Sequence, residues 1–241
     1  MTESELKIPA SNQHIRVMVD GPYVVQGDIP LVSKTQIVSE HGEPLTWKKI
    51  GEIPAGKGEY LLCRCGRSTE KPFCSGAHCE FDFDGSESAD TNMTEERSHT
   101  YSRATRIIVK KDASLCMNSG FCGFLNAGIF QLVASTQDTK TRSLVIAMVE
   151  RCPSGALTYR FDPGEPAIEP DLPVQVAMTT EITAGGPIEG PLWVTGNIPI
   201  ERSDGQPFET RNRVTLCNCG HSSNKPLCDG THRAMAEQEH G

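Results

Sequence analysis

Two stretches of this chain present the same metal-ligating side chains at the same spacing. Each reads Cys-x-Cys-x8-Cys-x3-His, and the ligand candidates are Cys63, Cys65, Cys74 and His78 in the first and Cys217, Cys219, Cys228 and His232 in the second. Thiolates and imidazoles bind soft and borderline metals, so each stretch predicts a metal site.

No basic segment followed by an apolar one opens the sequence. We therefore expect a cytoplasmic protein whose thiols are reduced, rather than a disulfide framework.

The residues between these ligands predict a tight hairpin. The two side chains of Cys-x-Cys point to one side of an extended strand, and Gly66 or Gly220 then lets the chain reverse. A proline two residues before the third cysteine, Pro72 or Pro226, directs the return. The last cysteine and the histidine are four positions apart, which suits the start of a helix, where N–H groups favour an anionic centre. Three cysteines and one histidine also satisfy tetrahedral zinc, so the spacing alone leaves zinc and an iron–sulfur cluster open.

Both stretches resemble the signature of the CDGSH iron–sulfur, or NEET, domains. The first reads Cys-x-Cys-x2-Ser-x3-Pro-x-Cys-Ser-Gly-Ala-His over 63–78, and the second reads Cys-x-Cys-x2-Ser-x3-Pro-x-Cys-Asp-Gly-Thr-His over 217–232. The resemblance implies a 2Fe–2S cluster on each hairpin, with two protein ligands on each iron. The implied pairs are Cys63 with Cys65, Cys74 with His78, Cys217 with Cys219, and Cys228 with His232. Ser75 departs from the signature, where aspartate is usual. Cys79, which directly follows His78, is interpreted as a spare thiol.

A longer repeat surrounds these hairpins. GPYVVQGDIPL over 21–31 reappears as GPLWVTGNIPI over 190–200, and HIRVMVDG and PVQVAMTT resemble the strands that open each copy. Members of the family are commonly homodimers with a β-rich cap, so two copies in one chain imply an intramolecular pseudo-dimer and a monomeric protein. The first copy has extra residues around TWKKIGEIPAGKGEY, whose Gly-Lys-Gly turn predicts a hairpin extension.

The segment between the copies has a third group of cysteines, Cys116, Cys122 and Cys152, the last followed by proline. An early cysteine group and a late Cys-Pro are the layout of bacterial-type ferredoxins, and the segment resembles the divergent single-cluster ferredoxins. Ser119 stands where that family has a cysteine. Three thiolates suit a 3Fe–4S cluster or a 4Fe–4S cluster with a non-cysteine fourth ligand. The alternative is a ferredoxin-like fold that has lost its cluster.

These patterns predict an α+β protein with two small β-rich CDGSH units and an inserted α+β ferredoxin-like domain. The insert has a strand pattern in TRIIVKK, helical periodicity in SLVIAMVERCP and a second strand in ALTYRF. The expected boundaries are 15–82 for the first repeat, 83–104 for a linker, 105–162 for the insert, 163–173 for a second linker and 174–235 for the second repeat.

Composition limits the function classes. A net charge of −8 argues against a nucleic-acid partner, and no apolar run approaches the roughly 20 residues that span a bilayer, so we expect no membrane partner. We found no catalytic triad pattern, phosphate loop, nucleotide fingerprint or paired carboxylates, and expect no enzyme. The first hypothesis is electron transfer to a redox partner protein. The alternatives are a cluster carrier for apo-acceptor proteins or a redox or pH sensor, and a zinc-binding structural protein.

The two hairpins differ in charge. Arg64, Arg67 and Lys71 outnumber Glu70 in the first, whereas the second has a near-neutral balance. Positive neighbours favour the more negative, reduced cluster, so we expect the higher reduction potential at the first site. A histidine ligand also leaves a metal more readily in mild acid than a thiolate does, which predicts acid-labile clusters.

Overall fold

A computed structural model describes residues 10, 12–101, 106–124 and 127–239. The strands are β1 His14–Val17, β2 Tyr23–Gln26, β3 Leu31–Val38, β4 Pro44–Glu52, β5 Glu59–Leu62, β6 His99–Thr100, β7 Ile108–Lys111, β8 Gly123–Phe124, β9 Ala127–Gly128, β10 Leu157–Arg160, β11 Gln175–Thr183, β12 Gly186–Thr195, β13 Ile200–Glu201 and β14 Arg213–Leu216. The α-helices are α1 Thr94–Arg97, α2 Ile129–Leu132, α3 Thr139–Arg151 and α4 Thr231–Glu239, and 3-10 turns cover Ala77–Glu80, Ala113–Leu115 and Val133–Ser135. The predicted α+β class is confirmed.

Both large sheets contain strands from both copies of the repeat. One sheet has the order β13-β1-β2-β5 and the other has the order β14-β12-β11-β3-β4. In the first sheet, β13 of the second copy pairs in parallel with β1 of the first copy. In the second sheet, β3 of the first copy pairs in parallel with β11 of the second. The two copies therefore exchange a strand reciprocally, which builds the expected pseudo-dimer within one chain.

The same turn starts each exchange. A Gly-Asp pair in the first copy and a Gly-Asn pair in the second have positive φ, a conformation that short polar residues and glycine tolerate. The proline that follows cannot donate to its own sheet, and its carbonyl accepts from the other copy instead. Val176 N–H donates to Pro30 O, and Ile15 N–H donates to Pro199 O, each at 2.9 Å. The local sequence thus directs each chain segment onto the partner copy.

One hydrophobic core connects all three segments of the chain. Its buried members include Ile15 and Tyr23 from the first copy, Val145 from the insert, and Val176 and Leu216 from the second copy. Because Leu31 and Ile200 on the exchanged strands are members of this core, the burial of both copies depends on the strands they exchange.

The extra residues of the first copy extend a different hairpin from the one expected. They lengthen β4, which pairs antiparallel with β3. The Gly-Lys-Gly turn instead connects β4 to β5, which belong to different sheets. The expectation of a hairpin at this turn was wrong, because the β3 strand exchange carries β4 into the second copy's sheet.

The insert has its own small sheet, in the order β10-β7-β6, with α3 packed beside it. Asp138 caps α3 by accepting from Thr141 N–H at 2.7 Å, and the helix ends at Arg151, with Cys152 as its C-cap before a proline. The strand and helix patterns of the insert are confirmed as β7, α3 and β10. Within the predicted linker 83–104, the structure forms α1 and β6, and β6 pairs with β7. Residues 102–105, where linker and insert were expected to meet, lie outside the described residues.

The domain boundaries stay a prediction.

Among the described residues, no helix combines the length and apolar character that a membrane span requires.

Candidate metal centres

Both cysteine hairpins are short antiparallel ladders that continue a sheet strand. In the first, Cys63 N–H donates to Pro72 O at 2.8 Å and Cys74 N–H donates to Leu61 O at 3.0 Å. The second hairpin repeats these two bonds at 2.8 and 2.9 Å. The peptide bond before the proline is cis in both copies. The equivalent main-chain paths place equivalent side chains at the two tips.

Each hairpin brings its four predicted ligands together as two pairs. The distances are 3.9 Å for Cys63 Sγ to Cys65 Sγ, 3.5 Å for Cys74 Sγ to His78 Nδ1, 3.6 Å for Cys217 Sγ to Cys219 Sγ, and 3.5 Å for Cys228 Sγ to His232 Nδ1. Among the described residues, no group of three or more Cys, His, Asp or Glu side chains converges on a single ion position.

These distances fit two ligands on one tetrahedral metal. With metal–sulfur bonds of about 2.3 Å and metal–nitrogen bonds of about 2.1 Å, two sulfurs lie about 3.8 Å apart and a sulfur and a nitrogen about 3.6 Å apart. All four measured pairs lie close to these values. Both histidines direct Nδ1 toward the cysteine and leave Nε2 for other contacts.

The Cys217 and Cys219 thiols lie close enough to affect each other's ionisation. A hydrogen bond from the Cys219 thiol lowers the pKa of Cys217 and raises that of Cys219; burial opposes the lowering, and N–H groups of Ser222, Gly220 and Cys219 favour it. Burial raises the pKa of Cys228. Hydrogen bonds to ligand sulfur favour the thiolate form that a metal requires.

The two hairpins touch at their Cys-x-Cys-Gly segments. Cys65 and Cys219 form an antiparallel bridge, and Gly66 and Gly220 have φ of 81° and 83°. A Cβ at either glycine would overlap the carbonyl group of the opposite cysteine. A cleft of about 330 Å³ lies at this junction and is lined by Cys65, Cys219 and His232. The two hairpins can cross this closely because glycine, which has no side chain, occupies both positions.

The insert cysteines line a separate cavity of about 270 Å³. Cys116, Ser119 and Cys122 line it from one loop, and Cys152 lines it from the C-terminal end of α3. Burial, together with the neighbouring Cys152 and Cys116 thiols, raises the pKa of Cys122. The cavity far exceeds the roughly 10–15 Å³ that one water needs, so its thiol-lined walls fit a polynuclear cluster.

Comparison with known families separates the insert from its surroundings. Residues 20–79 and 189–233 match the family described as "Iron-binding zinc finger CDGSH type", and residues 103–162 match the family described as "Divergent 4Fe-4S mono-cluster". The chain contains two CDGSH segments with a divergent 4Fe-4S mono-cluster domain inserted between them. It is an iron–sulfur protein. No curated protein and no solved structure gave a match.

The two CDGSH hairpins are unequally enclosed. His232 lies on α4 with 6% of its surface exposed, and Cys228 is 2% exposed. His78 lies in the shorter 3-10 turn and is only half-buried, as is Cys74, and the neighbouring Cys79 is exposed. The Cys228 and His232 pair is therefore better shielded from water than the Cys74 and His78 pair, whereas Cys219 is more exposed than the buried Cys65.

Asp229 anchors the second CDGSH loop, whereas its counterpart Ser75 makes few contacts. Asp229 accepts from the N–H and hydroxyl groups of both Ser223 and Thr231, at 2.7–3.0 Å. Burial opposes ionisation, but these hydrogen bonds from Thr231 and Ser223 lower the pKa of Asp229 to about 2. Ser75 Oγ accepts a single bond, from Thr69 N–H at 3.4 Å. The departure at Ser75 thus weakens the hydrogen bonding of the first loop.

The residue between the paired cysteines also differs. Arg64 is 2% exposed and donates to the carbonyl oxygens of Met18 and Gly85. In the second segment Asn218 stands at this place and donates to Glu189 at 2.8 Å. Lys71 of the first segment also pairs with Glu189, at 2.9 Å. A buried cation therefore stands between the paired cysteines of the first segment, where the second segment has a neutral amide.

Sequence reasoning missed one residue of the second site, Glu181 on β11. Its side chain has no exposed surface, and Oε2 lies 3.3 Å from His232 Nε2 and 2.8 Å from Arg233 Nη1. The β11–β12 hairpin that carries it is longer than the β1–β2 turn of the first copy. An alignment of the repeats could have marked this extra acidic segment, but only the fold shows which side chain reaches the histidine.

The insert packs against the second CDGSH hairpin. Asn118 Nδ2 donates to Asp229 O at 3.4 Å, and Asn224 Nδ2 donates to Ser114 O at 2.7 Å. A Cβ at Gly230 would lie 2.7 Å from Met117 O. The loop between Cys116 and Cys122 therefore lies directly beside the Cys228 loop.

Proposed function

We propose that the chain is an electron-transfer protein with a 2Fe–2S cluster on each CDGSH hairpin and a third cluster in the insert. In each hairpin the Cys-x-Cys pair would hold one iron, and the last cysteine and histidine would hold the other. The separation of each ligand set into two pairs, with no three of these side chains converging on one ion position among the described residues, supports two irons over a single zinc ion. When bound, such clusters accept and release single electrons, and we assign no bond-making reaction to the chain.

The observation that carries this proposal is the spatial arrangement of the three sites, in which the second hairpin lies between the insert and the first hairpin. The insert loop contacts the Cys228 loop, and the second hairpin contacts the first through Cys219 and Cys65. Electron tunnelling falls steeply with distance, so centres in adjoining loops exchange electrons most rapidly. An electron would pass between the insert and the first hairpin through the second, and a redox partner protein would dock at either end of this path.

The insert would hold its cluster through Cys116, Cys122 and Cys152. Ser119 lines the same cavity, and its side chain would either ligate a fourth iron or leave a three-iron cluster. The thiol-lined cavity supports a bound cluster over a cluster-free fold.

The test is iron and sulfide analysis with electron paramagnetic resonance of the oxidised and reduced protein. About four irons per chain would mean that only the hairpins are filled, and seven or eight would mean that the insert is filled as well. We expect reversible reduction without loss of visible absorption. A colourless protein that contains zinc, or bleaching after one reduction cycle, would contradict electron transfer.

A second candidate function is cluster delivery from the first hairpin. The half-buried Cys74 and His78 beside the exposed Cys79 favour it, because ligands that reach water exchange more readily. Mixing the loaded chain with an apo-ferredoxin tests this. Transfer that empties the first hairpin alone would support delivery, and an unchanged acceptor would exclude it.

A further inference from the structure

Glu181 places a carboxylate in a position where the strand pattern calls for an apolar side chain. Ala177, Thr179 and Glu181 lie on the face of β11 opposite Val176, and this face is buried as well, since each of the three is no more than 1% exposed. Among the described residues, Glu181 Oε1 has no hydrogen-bond partner. A buried carboxylate is costly unless it is paired. Its two contacts, to His232 and Arg233, are therefore the interactions that account for it.

The contact with His232 determines which ring nitrogen faces the cysteine. Nδ1 lies 3.5 Å from Cys228 Sγ, and Nε2 lies 3.3 Å from Glu181 Oε2. A carboxylate accepts a hydrogen bond, so Nε2 carries the proton and Nδ1 presents its lone pair to a metal. A histidine ligand that donates its second N–H to a carboxylate is held in one orientation and becomes a more basic ligand.

The first hairpin lacks this arrangement. Among the described residues, no carboxylate lies within hydrogen-bond distance of His78 Nε2, and the nearby backbone is the tight turn at Gly21. The β1–β2 connection is too short to provide an equivalent of Glu181. The two histidines therefore have the same geometry at Nδ1 but different contacts at Nε2.

We infer that Glu181 is a positioning residue that orients His232 through Nε2 and sets the second cluster at a lower reduction potential and a slower rate of loss than the first. This inference rests on the proposed function, because it requires a cluster at the second hairpin. A more basic ligand and a nearby negative charge both favour the oxidised cluster. The second cluster is thereby the retained centre of the pair.

The test uses the full loaded chain and compares Glu181→Gln with Glu189→Gln. Both substitutions remove one negative charge from the same hairpin, but Glu189 contacts Lys71 and Asn218 rather than a histidine. We expect Glu181→Gln to raise the second cluster's midpoint potential, to leave the first unchanged, and to speed cluster loss to a chelator about 10- to 100-fold. Glu189→Gln is expected to have the smaller effect on both quantities.

Arg233→Gln should shift the midpoint potential of the second cluster in the opposite direction. It removes the cation that balances Glu181, so the second potential is expected to fall, whereas a merely structural role predicts no such reversal. Pulsed electron paramagnetic resonance adds a direct readout, because the coupling of the remote histidine nitrogen depends on the hydrogen bond at Nε2. We expect this coupling to change in Glu181→Ala.

Equal shifts in Glu181→Gln and Glu189→Gln, or an unchanged remote-nitrogen coupling in Glu181→Ala, would overturn the inference. A second hairpin without iron in the unsubstituted chain would overturn the proposed function and the inference together. A cluster that is present but whose potential does not respond to Glu181→Gln would overturn the inference alone.

Discussion

Asp229 and Ser75 occupy the same place in the two CDGSH loops but make unequal numbers of hydrogen bonds. The Asp229 carboxylate holds the main chain and side chains of Ser223 and Thr231, whereas Ser75 accepts one long bond. At the scale of single residues, this difference decides how firmly each loop keeps the cysteine and histidine in place.

Exchanging these two residues should change loop stability in opposite directions. We expect Asp229→Ser to lower the free energy of unfolding by about 1.5–3 kcal/mol, the usual value of a hydrogen bond to a charged group, and to speed cluster loss at the second hairpin. Ser75→Asp should slow cluster loss at the first. Chemical denaturation and the decay of visible absorption with a chelator measure both effects. Loss rates that do not depend on either substitution would contradict this account.

At the scale of elements, the crossing of the two cysteine hairpins depends on glycine. Gly66→Ala and Gly220→Ala would drive a Cβ into the opposite carbonyl group and would also place alanine at positive φ, which costs about 1–2 kcal/mol by itself. We expect each substitution to destabilise the protein by more than that amount, as measured by chemical denaturation.

Gly205→Ala is the matched control for the glycine prediction. Gly205 has a φ of 81°, close to that of Gly66, but nothing lies within 4 Å of a Cβ placed there. It should show the conformational cost without the overlap. Equal losses in Gly205→Ala and Gly66→Ala would mean that the hairpin crossing is not a tight contact.

Ser119 allows a second prediction at the scale of elements. It lines the insert cavity with the three cysteines, so Ser119→Cys would supply a fourth thiolate. We expect the substituted insert to hold a four-iron cluster with four cysteine ligands. The measurement is the iron content together with the electron paramagnetic resonance spectrum. A spectrum and an iron count identical to those of the unsubstituted chain would contradict a cluster bound beside Ser119.

At the scale of the whole molecule, the exchanged strands already provide each copy with its partner. β13 completes the sheet of β1, and β3 completes the sheet of β11. We therefore expect a monomer near 26.3 kDa in analytical ultracentrifugation, with and without bound iron. A species of twice that mass, stable on dilution, would show that a second chain contributes to the assembly.

The ligand residues could be predicted because the pattern that marks them is local. Each Cys-x-Cys-x8-Cys-x3-His stretch contains its own turn and its own proline, and short-range main-chain bonds bring its candidate ligands together. The division of those ligands into pairs was implied by the resemblance to the CDGSH family. The strands that open each copy and the elements of the insert could be predicted for the same reason, from hydrophobic periodicity within a few residues.

The tertiary structure alone decided how these local units meet. Glu181 and His232 are 51 positions apart, and the exchanged strands join copies at opposite ends of the chain. Register determines which face of a strand a side chain occupies, and a slip of one residue would turn Glu181 away from the histidine. The sequence by itself therefore determined which residues are the candidate cluster ligands. The fold decided that the two hairpins are unequal and that the insert adjoins the second, because those features depend on pairing between distant strands.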